Sequence, residues 1–293
     1  MSSGTFMEEG FMGLRINTNV PALVAQKNLS STRGGLDRNF ERLSSGLRIN
    51  HAGDDAAGLA VSEILRAQIR GVSQAGRNAQ DGISVVQIAE GSLGEISNIL
   101  IRMRELGVQA SSDTVGQSER KFLNIEFKQL LEEIDRISNS TEFNHVPLLN
   151  GAEASFDIQV GDRNNPDTDR VKLFSSSGSD VNVTALGINL ASVADKISAQ
   201  SSLSAIDSAI SSVTEIRAHF GAIQNRLQSI TNNLMVSREN FSSAASRIRD
   251  TDMAEEVSSM TKNQILMQAG VSILSQANSA SKTALGLLSQ GGS

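Results

Sequence analysis

Along both flanks of this 293-residue chain, apolar side chains recur at alternating steps of four and three; only near its middle do they alternate every second residue. In the N-terminal flank Leu36, Phe40, Leu43 and Leu47 lie on such a line, which predicts an amphipathic helix starting near Val20-Pro21. In the C-terminal flank Met253, Val257, Met260, Met267, Val271, Leu274, Leu285 and Leu288 share one register, with Gln264, Asn278 and Ser281 in its gaps. A 3.5-residue repeat of this kind is the seam of a helix wound against partner helices. From Val257 to Ser293 only Lys262 and Lys282 carry charge, and Gln, Asn, Ser, Thr and Ala fill most of the remaining surface. Such a helix suits burial among other helices better than free exposure to water. The pattern points to assembly before it points to catalysis.

Between the flanks the rhythm predicts a long helix over about 56–110, capped by Asp54 or Asp55. At ~1.5 Å per residue it would span roughly 80 Å. Gly58, Gly71, Gly76, Gly82, Gly91 and Gly94 lie within it, and close approach of neighbouring elements is the expected reason. A third helix near 118–138 carries Phe122, Ile125, Leu130, Ile134 and Ile137. Phe156, Ile158 and Val160 then alternate with polar residues, and Asn165-Pro166-Asp167 supplies a turn before Val171 and Leu173, so a β-hairpin is expected at about 155–175. Ser175–Ser179 reads as a loop, and the helical rhythm resumes after Gly187. From there Ile206, Ile210, Val213, Ile216, Phe220, Ile223, Leu227, Ile230 and Leu234 form a heptad seam in a helix over about 195–245.

Composition narrows the function classes. Hydrophobic residues make up 39% of the chain, with ten Phe but no Trp or Tyr, as in helical bundles built on aliphatic side chains. A net charge of −6 argues against a nucleic-acid partner. The absence of cysteine removes disulfides and thiolate metal sites, and no apolar run reaches the length of a membrane-spanning helix. The N-terminal segment lacks the basic and apolar regions of a secretory signal, so none is expected; Met12-Gly13 offers a second start, with residues 1–12 an extension. His51, His145 and His219 lie in different segments with no ligand partner at helical spacing, and no nucleophile elbow, phosphate loop or dinucleotide fingerprint occurs. No enzyme activity, cofactor or metal is expected. Glu132-Glu133 and Asp54-Asp55 read as solvated or capping carboxylates.

Several stretches resemble bacterial flagellins. At the N-terminal end they are Glu41-Arg42-Leu43-Ser44-Ser45-Gly46-Leu47-Arg48-Ile49-Asn50, Asp54-Asp55-Ala56-Ala57-Gly58 and the run Ser73 to Ser84. At the C-terminal end they are Asp250 to Glu256 and Asn263 to Gly270. The resemblance covers roughly 13–150 and 195–290 and implies a mostly α fold: a long antiparallel helical bundle or coiled coil with a small β-hairpin region. It implies that 13–53 and 250–290 pair as an inner coiled-coil domain, and that 54–249 forms an outer core domain without inserted surface domains. It further implies export by a flagellar type III apparatus, polymerisation at the filament tip outside the cell, and cap, junction and chaperone proteins as partners. The terminal-helix residues named above, Leu36 through Leu288, would carry self-assembly. Arg102, Leu106 and Glu126 match the stretch through which a host Toll-like receptor binds members of the family, although a core Leu106 beside a solvated charged face is the plainer reading. His51-Ala52-Gly53 departs from the family pattern by losing a lysine next to Asp54-Asp55. The alternatives are a hook–filament junction protein, which shares the end helices, and an intracellular coiled-coil adaptor.

Overall fold

A computed structural model describes residues 18–151, 155–175 and 180–290, and the side chains of all of these except 174, 175, 281 and 284–290. Among the described residues the elements are α1 (Val20–Ser45), α2 (Ala56–Ala110), α3 (Gln117–Ser140), β1 (Glu142–Phe143), β2 (Val146–Pro147), β3 (Ser155–Gln159), β4 (Arg170–Ser175), α4 (Lys196–Arg249) and α5 (Met253–Gln290). The mostly α class expected from the periodicity is what is found, with the strands confined to two small antiparallel pairs. The Leu285 and Leu288 side chains expected in the seam lie outside those described.

The helix ends follow local chemistry. Asn19 caps α1 by accepting from the Ala22 amide at 3.1 Å, and Gly46, at φ 71°, closes it in the left-handed conformation glycine tolerates. Asp55 rather than Asp54 caps α2, its Oδ1 accepting from the Gly58 amide at 2.8 Å. Asp54 instead ties the preceding turn, where its Oδ2 accepts from the Asn50 and His51 amides at 3.2 and 3.1 Å. These two bonds, His51 first, hold its carboxyl below the usual aspartate range. Asp252 opens α5 by accepting from the Ala254 and Glu255 amides at 2.9 and 3.2 Å.

Two compact units form. Among the described residues one joins 18–64 with 244–290; the other is Leu65–Ser243. The division falls inside α2 and α4 rather than at residues 53 and 250. The first turns of α2 and the last of α4 pack with the α1–α2 loop: Arg249 Nη1 lies 2.7 Å from Glu63 Oε1, and Ile49 is buried close against Gly58.

The central unit has an aliphatic core built on two heptad lines. Ala79, Val86, Leu93 and Leu100 of α2 are all fully buried, as are Ala199, Ile206, Val213 and Leu227 of α4, with Phe220 at 1% exposure between the last two. On α3 the buried face is Phe127, Ile134 and Ser138, whereas Phe122 and Ile125, expected inside, stand exposed on the opposite side. Gly82 confirms the expected close approach, since a Cβ there would sit 3.2 Å from Ile158 and 3.3 Å from Leu227. Gly76, Gly91 and Gly94 face open space, so close packing does not explain them.

β3 and β4 form the expected hairpin, with a bulge between Phe156 and Asp157. The β1–β2 hairpin was not legible in the sequence: its strands have two residues each, and its turn, Asn144-His145, carries φ values of 50° and 64° without the usual glycine. The helix begins at Lys196, within the expected span of about 195–245, and the irregular stretch before it, whose packing was not read from the sequence, buries Val181, Val183, Leu186, Ile188 and Val193 in the core. Side chains of α3 satisfy its backbone: Asp135 Oδ1 accepts from the Val183 amide at 2.8 Å, and Asn124 Oδ1 from the Val193 amide at 3.1 Å and Ser192 Oγ at 3.0 Å.

Candidate assembly interface

α1 and α5 pack antiparallel along a two-helix seam. From α1 it takes Ala25, Leu29, Thr32, Leu36, Asn39 and Leu43, each buried or half-buried and stepped by fours and threes. From α5 it takes Glu256, Met260, Asn263, Met267, Gly270, Leu274 and Ala277 on the same rhythm. The alignment is marked by side-chain contacts along its length. Asn19 Nδ2 donates to the Ala277 carbonyl at 3.0 Å, and Leu29 Cδ1 lies 3.2 Å from where a Cβ on Gly270 would be. A Cβ on Gly35 would sit 3.1 Å from Asn263 Nδ2. Glycine at both places lets the helices approach closely.

The assembly residues expected from the sequence divide here. Leu36 is buried in the seam, and Leu43, Met260, Met267 and Leu274 are half-buried along it. Leu47 is half-buried in the loop beyond α1, where it bridges to Asp250. Phe40, Met253, Val257 and Val271 are instead about half exposed, at 51, 50, 45 and 54%. Of the expected register Met260, Met267 and Leu274 face α1, and the companion line beside them lies one residue earlier than expected. Glu256, Asn263, Gly270 and Ala277 face α1, and Val257, Gln264, Val271 and Asn278 turn outward. Gly270 and Ala277 are small enough for close approach, Glu256 and Asn263 are held by bonds to Asn39, and the larger apolar side chains remain open.

Sequence reasoning missed the polar residues of the seam. Asn39 and Glu256 are buried, and Asn39 Nδ2 donates to Glu256 Oε1 at 2.6 Å. Asn263 Nδ2 donates to Asn39 Oδ1 at 2.8 Å, and Arg42 Nη1 lies 3.9 Å from Glu256 Oε2. The signal was available: Asn39 stands three residues after Leu36 and four before Leu43, a seam position occupied by a polar side chain.

Away from the seam both helices expose large apolar side chains among polar ones: Val20, Leu23, Val24 and Phe40 on α1, and Met253, Val257, Ile265, Leu266, Val271 and Ile273 on α5. So many large apolar side chains left open make the pair a candidate interaction surface. At the base of the pair the loop after α1 is stitched to the chain before α5: the Arg48 amide donates to the Arg249 carbonyl at 2.6 Å, and the Thr251 amide to the Gly46 carbonyl at 3.1 Å. His51 Nε2 sits 2.6 Å from Glu41 Oε1 in the same loop.

In the central unit Arg102 donates to Glu126 Oε1 through Nε at 3.0 Å and Nη2 at 2.9 Å, and through Nη1 to Glu105 at 3.0 Å. These bonds, that to Glu126 first, raise the already high pKa of the guanidinium. Leu106 is 1% exposed and belongs to the core, so it offers no surface beside them. No cluster of metal-ligating side chains and no helix able to cross a membrane occurs among the described residues.

Known proteins match the chain at both flanks. The bacterial flagellin N-terminal helical region matches residues 16–154, and the bacterial flagellin C-terminal helical region matches residues 203–288. The chain is 46% identical over 275 residues to a flagellin of Halalkalibacterium halodurans, covering 93% of this chain and 99% of that one. To a flagellin of Bacillus subtilis it is 43% identical over 304 residues, covering 94% and 100%. A flagellar filament 33 kDa core protein of Treponema phagedenis is 40% identical over 284 residues, with 93% and 99% covered. Among solved structures, that of a putative flagellar hook-associated protein from Vibrio parahaemolyticus shares the fold at a TM-score of 0.55 and 15% identity, covering 67% of this chain and all of that one. Two helical flanks that match at both ends, with identity continuous across nearly the whole length, leave one conclusion: the chain belongs to the bacterial flagellin family.

Proposed function

We propose that this chain is a structural subunit that self-assembles into the bacterial flagellar filament for swimming motility. The carrying observation is the set of large apolar side chains of α1 and α5 left exposed after the two helices have paired with each other. A single chain leaves Ile265 and Ile273 of α5 at 61% and 60% exposure, among neighbours that are mostly uncharged, with Lys262 beside Ile265. Contact with neighbouring copies would bury them, and a heterologous contact repeated from copy to copy builds an open helical polymer.

On this reading the filament lies outside the cell and the subunit reaches its tip unfolded through the type III export apparatus, where a chain without cysteine needs no redox step. Its partners are itself, the cap, the junction proteins and an export chaperone. A Toll-like receptor docking on the α2–α3 face would meet Arg102 and Glu126 but not the buried Leu106.

The test is seeded polymerisation. Purified protein mixed with short filament seeds should give long tubes in negative-stain electron microscopy. Ile265→Ser with Ile273→Ser should abolish them while the far-ultraviolet circular dichroism of the soluble chain is retained. Tubes formed normally by that variant, or only self-limiting rings from the native chain, would overturn the reading.

A further inference from the structure

The α1·α5 seam is nearly degenerate in its apolar residues. Leu29, Leu36 and Leu43 lie seven residues apart on one helix, and Met260, Met267 and Leu274 seven apart on the other. Sliding one helix by a heptad, about 10 Å, would therefore set large apolar side chains against one another again. Apolar burial alone does not choose among these alignments.

The polar residues do. Asn39 is 7% exposed and uses both ends of its amide, donating to Glu256 Oε1 at 2.6 Å and accepting from Asn263 Nδ2 at 2.8 Å. Glu256 is 8% exposed, with Arg42 as its nearby cation. Asn263 fits because Gly35 opposite it has no Cβ. A slide of one heptad either way separates Asn39 from one of its two partners and moves Asn263 off Gly35. It would leave the Asn39 amide or the Glu256 carboxylate, each under 10% exposed, without one of its partners, which is unfavourable.

We propose that Asn39, Glu256 and Asn263 are the specificity-determining residues of the terminal helix pair, selecting one alignment of α1 against α5 out of several that bury similar apolar surface. The rival determinant is the backbone stitch between Gly46–Arg48 and Arg249–Thr251, which holds the base of the same pair. The inference deepens the filament reading, but its test does not depend on polymer forming.

The chain has no cysteine, so introduced pairs report alignment cleanly. Gly270→Cys is combined in turn with Leu29→Cys, which samples the observed alignment, and with Ala22→Cys or Leu36→Cys, which sample a slide of seven residues in either direction. In the otherwise native chain only the 29–270 pair should close under mild oxidation on a non-reducing gel. With Asn39→Leu and Asn263→Leu added, the 22–270 and 36–270 pairs should close to within about twofold of 29–270. Glu256→Gln, which retains an acceptor for Asn39, should restrict closure to 29–270. Closure of 29–270 alone in the Asn39→Leu/Asn263→Leu chain assigns the alignment to the backbone stitch and overturns the proposal. So does equal closure of all three pairs in the native background. If no pair closes in the soluble chain, the same three are read in sedimented polymer with the same criteria, and absence of closure there also overturns it. Failure to polymerise with the 29–270 result intact would count against the filament reading alone.

Discussion

Ile49 occupies space that Gly58 leaves free: a Cβ on Gly58 would come within 2.8 Å of Ile49 Cδ1, and also against the carboxylate of Asp55 that caps the same helix. Ile49 is 2% exposed, whereas the Asp55 side chain is at the surface. Gly58→Ala gains helix propensity of up to about 1 kcal/mol but overpacks this corner by about 1–3 kcal/mol, so the net effect should be a loss of roughly 1 kcal/mol. Polymer of this variant should dissociate at a lower temperature, followed by light scattering. An unchanged dissociation temperature would show that Ile49 has room to move.

Phe122 and Phe127 sit on one helix with opposite fates, 72% exposed and fully buried. Phe127→Ala should cost about 3–5 kcal/mol, and Phe122→Ala within about 0.5 kcal/mol of nothing. Because the chain lacks Trp and Tyr, urea unfolding followed by circular dichroism is the suitable readout. Equal losses for the two would contradict the observed face of α3.

Asn124 accepts from Ser192 Oγ and from the amide of Val193, a residue with no exposed surface. Asn124→Leu would leave that amide buried without a partner, for a loss of about 1–3 kcal/mol in the same urea experiment. A variant as stable as the native chain would mean that residues 180–195 find other partners.

The Lys196 ammonium, bonded to Asp113 at 2.7 Å, holds that carboxyl below its ordinary value of 3.8. The folded pKa is thus lower than the unfolded one. The pair's contribution is fully present above the unfolded value and is lost as pH falls through the folded value. Both groups are substantially exposed, so the contribution is small. Asp113→Asn should lower the urea midpoint slightly at pH 7 and leave it unchanged at the acid end of the transition. A larger deficit in acid than at neutrality would reverse the sign and refute the pairing.

α1 and α5 bury one seam and leave their other sides open, whereas α2 and α4 each carry a fully buried heptad line. In the soluble chain the amides of α1 and α5 should therefore exchange much faster than those of Ala79–Leu106, and polymerisation should slow them. Hydrogen exchange read by mass spectrometry decides this, and terminal helices already protected in the soluble chain would refute it.

The long helices were legible because periodicity is a local property: a seven-residue repeat such as Ile206, Val213, Phe220 and Leu227 announces itself without knowledge of any partner. Asn39 shows where that reading stopped. A polar residue in a heptad line reads as a gap until Glu256 and Asn263, more than two hundred residues away, supply its bonds. The choice between Val257 and Glu256, or Val271 and Gly270, as the inward line was also beyond local pattern, because hydrophobicity favours the valines while the bond to Asn39 favours Glu256 and close helix approach favours Gly270. The β1–β2 hairpin and the buried stretch 180–195 escaped for a related reason: two-residue strands have no period, and irregular backbone is stabilised in the core only by Asn124 and Asp135 reaching from another element. Sequence by itself determined the helical class, the family and the apolar flanks, all of which are written in neighbouring residues. Which face of each helix turns inward, and in what alignment, was decided by the tertiary structure, because close packing and the satisfaction of buried polar groups exist only between elements brought together.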